Sequence, residues 1–154
     1  MSSTITCPSN FVYIYHGCYQ VTPVGYSWFQ AVTVCQQQGA YLATFTSTAQ
    51  ARWVSEYFWS VGYSNNKLWI GLNDIAQSYD FQWIDGSYSD LRMWASYQPD
   101  ETYGTEHCAN MEIYNQGLWS VNPCSNQFNA LCKWNETVNS ESLGKNSDCL
   151  LLEL

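Results

Sequence analysis

Apolar and polar positions change rhythm partway along the chain. Between residues 27 and 60 the apolar residues recur at helical spacing, whereas beyond Asn66 they fall into short runs separated by turn formers. Ser27-Trp28-Phe29-Gln30 has the form of a capping box, so a helix is expected from the Ser27 cap to about Gln38, stopped by Gly39. Phe29, Val32 and Cys35 would mark its inner face. Ser47-Thr48-Ala49-Gln50 repeats the signal and opens a second helix to about Ser60, with Ala51, Val54 and Phe58 inward and Gly62 past its end. Upstream, residues 11–15 (Phe-Val-Tyr-Ile-Tyr) are strong strand formers; a disulfide between Cys7 and Cys18 would close them into a hairpin. Further strands are expected at 68–72, 81–84 (ahead of an Asp85-Gly86 turn), 109–114, 117–120 and 129–134.

Helices followed by strands indicate an α+β domain over residues 1–134, with 135–154 as a tail. Residues 87–106 carry no regular pattern, and a loop that long in a compact domain is usually functional. Its far end concentrates oxygen donors. Gln98-Pro99-Asp100-Glu101 is followed by Glu106-His107-Cys108, and then by Trp119-Ser120-Val121-Asn122-Pro123-Cys124. Loop-held carboxylates and amides of this kind suit a hard cation such as calcium. Pro99 restricts Gln98 to extended or turn geometry and gives the bond between them access to the cis form. The plainer alternative is a solvated acidic loop closed by a disulfide.

Composition narrows the function classes. The 154 residues suit one domain; aromatics make up 17% and charged residues 12%, against about 25% charged in ordinary proteins. A net charge of −8 with five scattered basic residues excludes a phosphate-backbone partner, so no nucleic acid is expected. Seven cysteines without a paired Cys-x-x-Cys motif indicate a disulfide framework in an oxidising, extracellular setting, with one cysteine left over. No run is long enough to span a bilayer. The first twenty residues lack the apolar core of a signal peptide, as in a mature or recombinant chain. In the tail, Asn135-Glu136-Thr137 is an N-glycosylation acceptor; Cys149 beside Leu150-Leu151-Leu152 would favour homo-oligomerisation if exposed, the alternative being a disordered end or one folded onto the domain.

Trp69-Ile70-Gly71-Leu72, Phe81-Gln82-Trp83-Ile84-Asp85-Gly86-Ser87, Gln98-Pro99-Asp100 and the closing cysteines together resemble a C-type lectin-like domain. The likeness covers Cys7 to about Trp134. It implies two helices flanking small antiparallel sheets, a long ligand-binding loop region, and disulfides Cys7–Cys18, Cys35–Cys132 and Cys108–Cys124, leaving Cys149 unpaired. In sugar-binding members, the side chains that hold one calcium also hydrogen-bond two vicinal sugar hydroxyls. The resemblance assigns that role to Gln98, Asp100 and Glu106, the Gln-Pro-Asp order being similar to the galactose-selecting form. Two further ligands belong to a Trp-Asn-Asp triplet, and here Trp119 is followed by Ser120 and Val121 instead. Galactose binders also place a tryptophan after the first triplet; Thr102 stands there, with Tyr103 beside it as the stacking candidate. Asp74 and Glu101 fall where an auxiliary calcium has acidic ligands, with Glu106 shared and Ser78 in place of a further acid. Asp74 is equally well read as a turn residue.

An enzyme is not expected. His16 reads as an exposed hairpin residue, and His107 beside Cys108 would suit zinc or a thiol couple only if Cys108 were not a half-cystine. Glu101 and Glu106 mimic a glycosidase pair in composition only. Two binding functions remain. One is galactose-class glycan recognition through calcium at Gln98, Asp100 and Glu106, with Tyr103 or Trp119 as apolar surface, Trp119 fitting the core better. The other is a calcium-independent module in which a tyrosine-rich surface and the Cys149 tail engage protein partners.

Overall fold

The computed structural model describes residues 6–136. Strands β1 (Val12–Ile14) and β2 (Gly17–Tyr26) form the N-terminal hairpin, helix α1 (Trp28–Gln36) follows, and β3 (Ala40–Leu42) leads into helix α2 (Thr48–Phe58). The chain then builds β4 (Lys67–Asn73), β5 (Gln82–Trp83), β6 (Cys108–Glu112), β7 (Leu118–Asn122) and β8 (Phe128–Trp134). Pairing runs β1-β2-β8-β4-β6-β7, with β3 on β8 and β5 on β4. Every pair is antiparallel except β4 with β8, which joins the antiparallel groups into one mixed sheet.

Local chemistry sets the helix starts. Ser27 and Gln30 complete a reciprocal capping box on α1. At α2 the box is half built: Ser47 Oγ accepts from Gln50 N–H, but Gln50 Oε1 accepts from Thr46 N–H and its Nε2 donates to Tyr19 Oη. The inner face of α1 is Trp28, Ala31 and Cys35, not the stripe beginning at Phe29, which is 56% exposed. Trp28 is the larger anchor, and its indole N–H donates to Ile70 O at 2.9 Å. The expected α2 stripe of Ala51, Val54 and Phe58 is buried, and the π-helical turn over Trp59–Tyr63 that follows is kinked at Gly62, whose φ is +110°.

Strand β4 divides the core. Leu68, Ile70 and Leu72 face a cluster with Tyr19, Phe45, Met111, Trp119 and Leu131, whereas Trp69 faces Trp28, Cys35, Cys108 and Cys132. Alternation along one strand thus feeds two apolar layers. Three disulfides join Cys7–Cys18, Cys35–Cys132 and Cys108–Cys124. The second closes a separation of 97 residues, worth about 4–5 kcal/mol against the unfolded chain in the loop-entropy model. Two strand expectations shift: 109–114 begins at Cys108 and passes into a 3-10 turn over Ile113–Asn115, while 117–120 becomes Leu118–Asn122. Only Gln82 and Trp83 of 81–84 pair in the sheet, because a tight turn with Gly86 N–H donating to Trp83 O follows at once. Cys149 and the Leu150–Leu152 cluster lie outside the described residues.

Gly117 sits at φ +75°, and a Cβ added there would meet Ser55 Cβ at 2.5 Å and Oγ at 2.6 Å. Left-handed strain and the clash with α2 add, so Gly117→Ala should destabilise the oxidised domain by roughly 2–4 kcal/mol in urea unfolding. A loss under about 1 kcal/mol would mean that α2 does not press on this turn.

Candidate functional site

The loop over residues 87–106 is irregular in structure yet well anchored. Trp119 on β7 donates its backbone N–H to Met93 O at 2.7 Å and accepts from Ala95 N–H at 2.8 Å, which forms a short parallel bridge with Trp94. Its ring is fully buried, edge-on to Trp83 and Trp94 at centroid distances of 5.4 and 6.3 Å. Trp119 is therefore core, leaving Tyr103 as the stacking candidate of the pair. Trp83 donates to Ser89 O, and the Arg92 guanidinium donates to Phe81 O and Ser89 O. The loop backbone is held at its base while its far end stays accessible.

At that far end the Gln98–Pro99 bond is cis. Gln98 Oε1 accepts from Val121 N–H at 3.1 Å and from Asp100 N–H at 3.3 Å. Asp100 is exposed, and Oδ1 accepts from the Thr102 hydroxyl and backbone N–H. Those two bonds hold its carboxyl below the usual range, so it is ionised at neutral pH. Glu106 is buried, with Oε2 accepting from Thr105 N–H at 3.1 Å. Tyr103 is 86% exposed and Tyr97, just before Gln98, is 97% exposed. The sequence reading missed Tyr97; its place beside the Gln-Pro-Asp triplet was the available signal.

The positions that replace Asn and Asp of the usual triplet contribute no oxygen outward. Ser120 is buried and exchanges hydrogen bonds with the Asn110 side chain, and the Val121 side chain is buried. Asn122, the conceivable substitute, donates its amide to Asn110 Oδ1 at 2.6 Å. Two carboxylates and one amide therefore remain. These hard donors fit calcium in type but fall short of its six to eight oxygens in number, and the Gln98 oxygen already accepts from two backbone N–H groups.

Beneath the loop lies a second cluster. Asp74, at the end of β4, is fully buried with Oδ2 accepting from Tyr79 N–H at 2.7 Å. His107 Nδ1 lies 3.0 Å from Asp74 Oδ1 and 2.9 Å from Glu101 Oε1. Both Glu101 oxygens are buried, and the contact that Oε1 makes is this close pairing with His107. Burial, then the neighbouring Asp74 carboxyl, push the Glu101 carboxyl up to about 7 against the pull of His107. Burial works to lower the His107 imidazole, but Asp74, the Gly104 carbonyl and Glu101 outweigh it and raise it. Asp74 and Glu101 thus come together with His107, whereas Glu106, expected as the shared ligand, accepts from Thr105 N–H instead. A separate groove of about 440 Å³, lined by Arg52, Ser55, Glu56, Trp59, Ile113 and Tyr114, shares no residue with either cluster.

Asn135, the glycosylation candidate, is partly accessible just past β8, and its backbone N–H donates to Gly39 O. Among the described residues no helix is long and apolar enough to cross a membrane.

The Lectin C-type domain model matches residues 24–134. Human regenerating islet-derived protein 4 is 33% identical over 133 residues, covering 84% of this chain and 81% of that protein. Lectin BRA-3 of Megabalanus rosa is 35% identical over 133 residues, covering 83% and 78%. Among solved structures, C-type lectin CEL-I from Cucumaria echinata superposes with a TM-score of 0.78 at 26% identity, covering 84% of this chain and 97% of that one.

The triad carries a pH signature. Glu101 is raised from an ordinary 4.5 to about 7, so its contribution is complete below 4.5 and is lost as pH climbs through 7. His107 is raised above 6.5, so its contribution is complete below 6.5 and is lost as pH passes its folded value. Both act in one direction. In chelator the melting temperature should fall as pH rises from 5 through 8, and His107→Gln should flatten that fall. A wild-type profile that stays level or climbs over this interval would contradict the coupling.

Proposed function

Since the chain belongs to the Lectin C-type domain family, a non-enzymatic carbohydrate-binding family, we propose that it is an extracellular module for galactose-class glycans. The observation that carries this reading is the far end of the loop. There Gln98 and Asp100 lie between two tyrosines left almost wholly in water, Tyr97 and Tyr103, with Glu106 three positions further along the same segment. Exposed aromatic rings beside carboxylate and amide groups match the two faces of a sugar, one apolar and one hydroxylated. Tyr103 supplies the stacking ring, with Tyr97 as a second.

The side chains present complementary polarity. With Oε1 accepting from Val121 N–H, Gln98 turns its Nε2 donor to a ligand, while the ionised Asp100 accepts. A vicinal pair of hydroxyls can give one hydrogen bond and receive the other. Asp100, Glu106 and the Gln98 oxygen, once released from its backbone donors, would hold a calcium ion, which would supply electrostatic attraction for both hydroxyl oxygens. With Ser120 and Val121 adding no ligand, calcium affinity falls into the weak, millimolar class. The tail is the proposed site of assembly, through Cys149 and the leucines, and Asn135 of glycosylation. The disulfide framework supports the extracellular setting of this reading.

A second reading has its own observation. Ser120 and Asn122 are both turned to Asn110, so the strand side of the calcium position is already internally bonded. That favours a calcium-independent module engaging a protein partner through the tyrosine-rich surface.

Melting curves separate the two. Calcium at about ten times its dissociation constant should add roughly 1.4 kcal/mol of stability by mass action, and Asp100→Asn should abolish the gain. Retention on galactose resin should be released by chelator and lost in Asp100→Asn. No shift at several millimolar calcium, together with unchanged flow-through on the resin, would reject the first reading.

A further inference from the structure

We propose that the outward face of α2 is the twofold interface of a homodimer, the partner being a second copy of this chain with its α2 antiparallel to the first. Thr48, Ala49, Arg52, Trp53, Glu56 and Trp59 form one exposed stripe along the helix. Trp59, the C-cap, keeps helical backbone angles, so the stripe runs unbroken to it. Trp53 and Trp59 are 56% and 53% exposed. Tyr13 and Tyr15 flank the stripe on one side, sharing a groove with Trp53, and Tyr114 flanks the other, sharing a groove with Trp59. Aromatic side chains are thus gathered around a helix face that the domain leaves uncovered. Contiguous exposed apolar surface of this kind marks an interaction site, and Trp, Tyr and Arg are the residues that dominate interface energy.

The charges on the stripe identify the partner. Arg52 and Glu56 stand one turn apart, with the cation on the N-terminal side, the less favourable order for pairing within a helix. Among the described residues the ion pairs all belong to His107, so neither head group is matched in its own chain. In a closed twofold contact, residue i meets j and j meets i. An antiparallel second α2, centred at the level of Val54, sets Arg52 opposite Glu56 of the partner subunit, and the same pair recurs across the axis. That centre also sets Trp59 opposite Ala49 of the partner subunit, because both pairs of positions share one midpoint. The surface around Ala49 is hollow: a groove of about 500 Å³ is lined by Thr48, Ala49, Arg52, Trp53 and Glu56. A protruding indole at one end of the stripe and a hollow beside a small side chain at the other are complementary under this rotation.

Other partners fit less well. One positive and one negative charge cancel within the stripe, so a strongly basic or strongly acidic protein gains little from docking there. A second copy matches both charges at once. Each chain carries a net −8, so the two copies repel at longer range and the dimer is weak, in the micromolar class. The interface involves neither residues 137–154 nor the sugar-facing loop, and it does not rest on the glycan reading.

The test uses the full oxidised chain with Cys149→Ser, so that no disulfide in the tail contributes, followed by sedimentation equilibrium from micromolar to near-millimolar concentration. A monomer–dimer equilibrium is expected. Trp59→Ala should weaken it by roughly tenfold or more. Arg52→Glu and Glu56→Arg should each weaken it as well, because like charges then meet twice across the axis. Mixed in equal amounts, those two variants should associate with each other at least as tightly as the parent with itself, since every facing pair is again opposite in sign. All three positions are exposed, so the variants should keep the parental melting temperature. A chain that stays monomeric throughout would overturn the interface and leave the face to a foreign protein or to the tail of the same chain. Association undiminished in Trp59→Ala would overturn it too and point to the tail leucines, as would charge variants that fail to pair when mixed. Galactose-resin retention is a separate measurement, so either proposal can fail alone.

Discussion

The backbone of Trp119 is the constraint on which the binding face depends. Its N–H and C=O clamp Met93 and Ala95, and its ring fills the space under Trp83 and Trp94. That clamp is the one place where the stretch from 87 to 106 bridges to the sheet by its backbone; its other ties run through side chains such as Ser89, Arg92 and Gln98. The next positions along the same strand continue the work: Val121 N–H takes Gln98 Oε1, and Ser120 closes on Asn110. Thus β7 organises the loop through backbone groups and buried polar contacts, and contributes nothing outward to a cation. The departure from the usual triplet exchanges ligands for internal support.

Apolar anchoring at one end of the loop is matched by charge at the other. Asp74, Glu101 and His107 gather at the junction of β4 with the loop, where both carboxylates are buried. Glu101 and the exposed Asp100 are adjacent in sequence but differ in state: burial raises Glu101, while two bonds from Thr102 hold Asp100 low. The loop therefore presents one ionised carboxylate to solvent and retains the next beneath it. The two clusters stand back to back, one facing water and one beneath the loop.

Stability behind this face comes from a sheet buried on both sides. Leu68, Ile70 and Leu72 serve one layer and Trp69 the other, and the Cys35–Cys132 bridge ties α1 to β8 across the second. The parallel contact of β4 with β8 brings the last strand beside the central one. Loop residues accordingly rest on a rigid frame, which lets a long irregular segment keep a defined shape.

Much of this was legible along the chain. Both helix starts, the α2 stripe, the hairpin, the α+β class and the unusual loop at 87–106 follow from local signals: caps, periodicity and turn residues act within a few positions. The α1 face misled because Phe29 and Val32 satisfy helical spacing as well as Trp28 and Ala31 do, and only the presence of Ile70 O as partner for the Trp28 indole decides between them. The site shows the same division. Gln98, Asp100 and Glu106 were visible as a spaced set of oxygen donors, because one short segment carries them all. His107 was weighed beside Cys108, yet its partners are Asp74, 33 positions away, and Glu101 across the loop. Ser120 and Asn122 could be named as replacements, but their inward turn to Asn110 depends on the pairing of β6 with β7. Sequence determined which donors exist; tertiary structure decided which of them meet, because convergence of side chains depends on strand register and on where a loop is clamped.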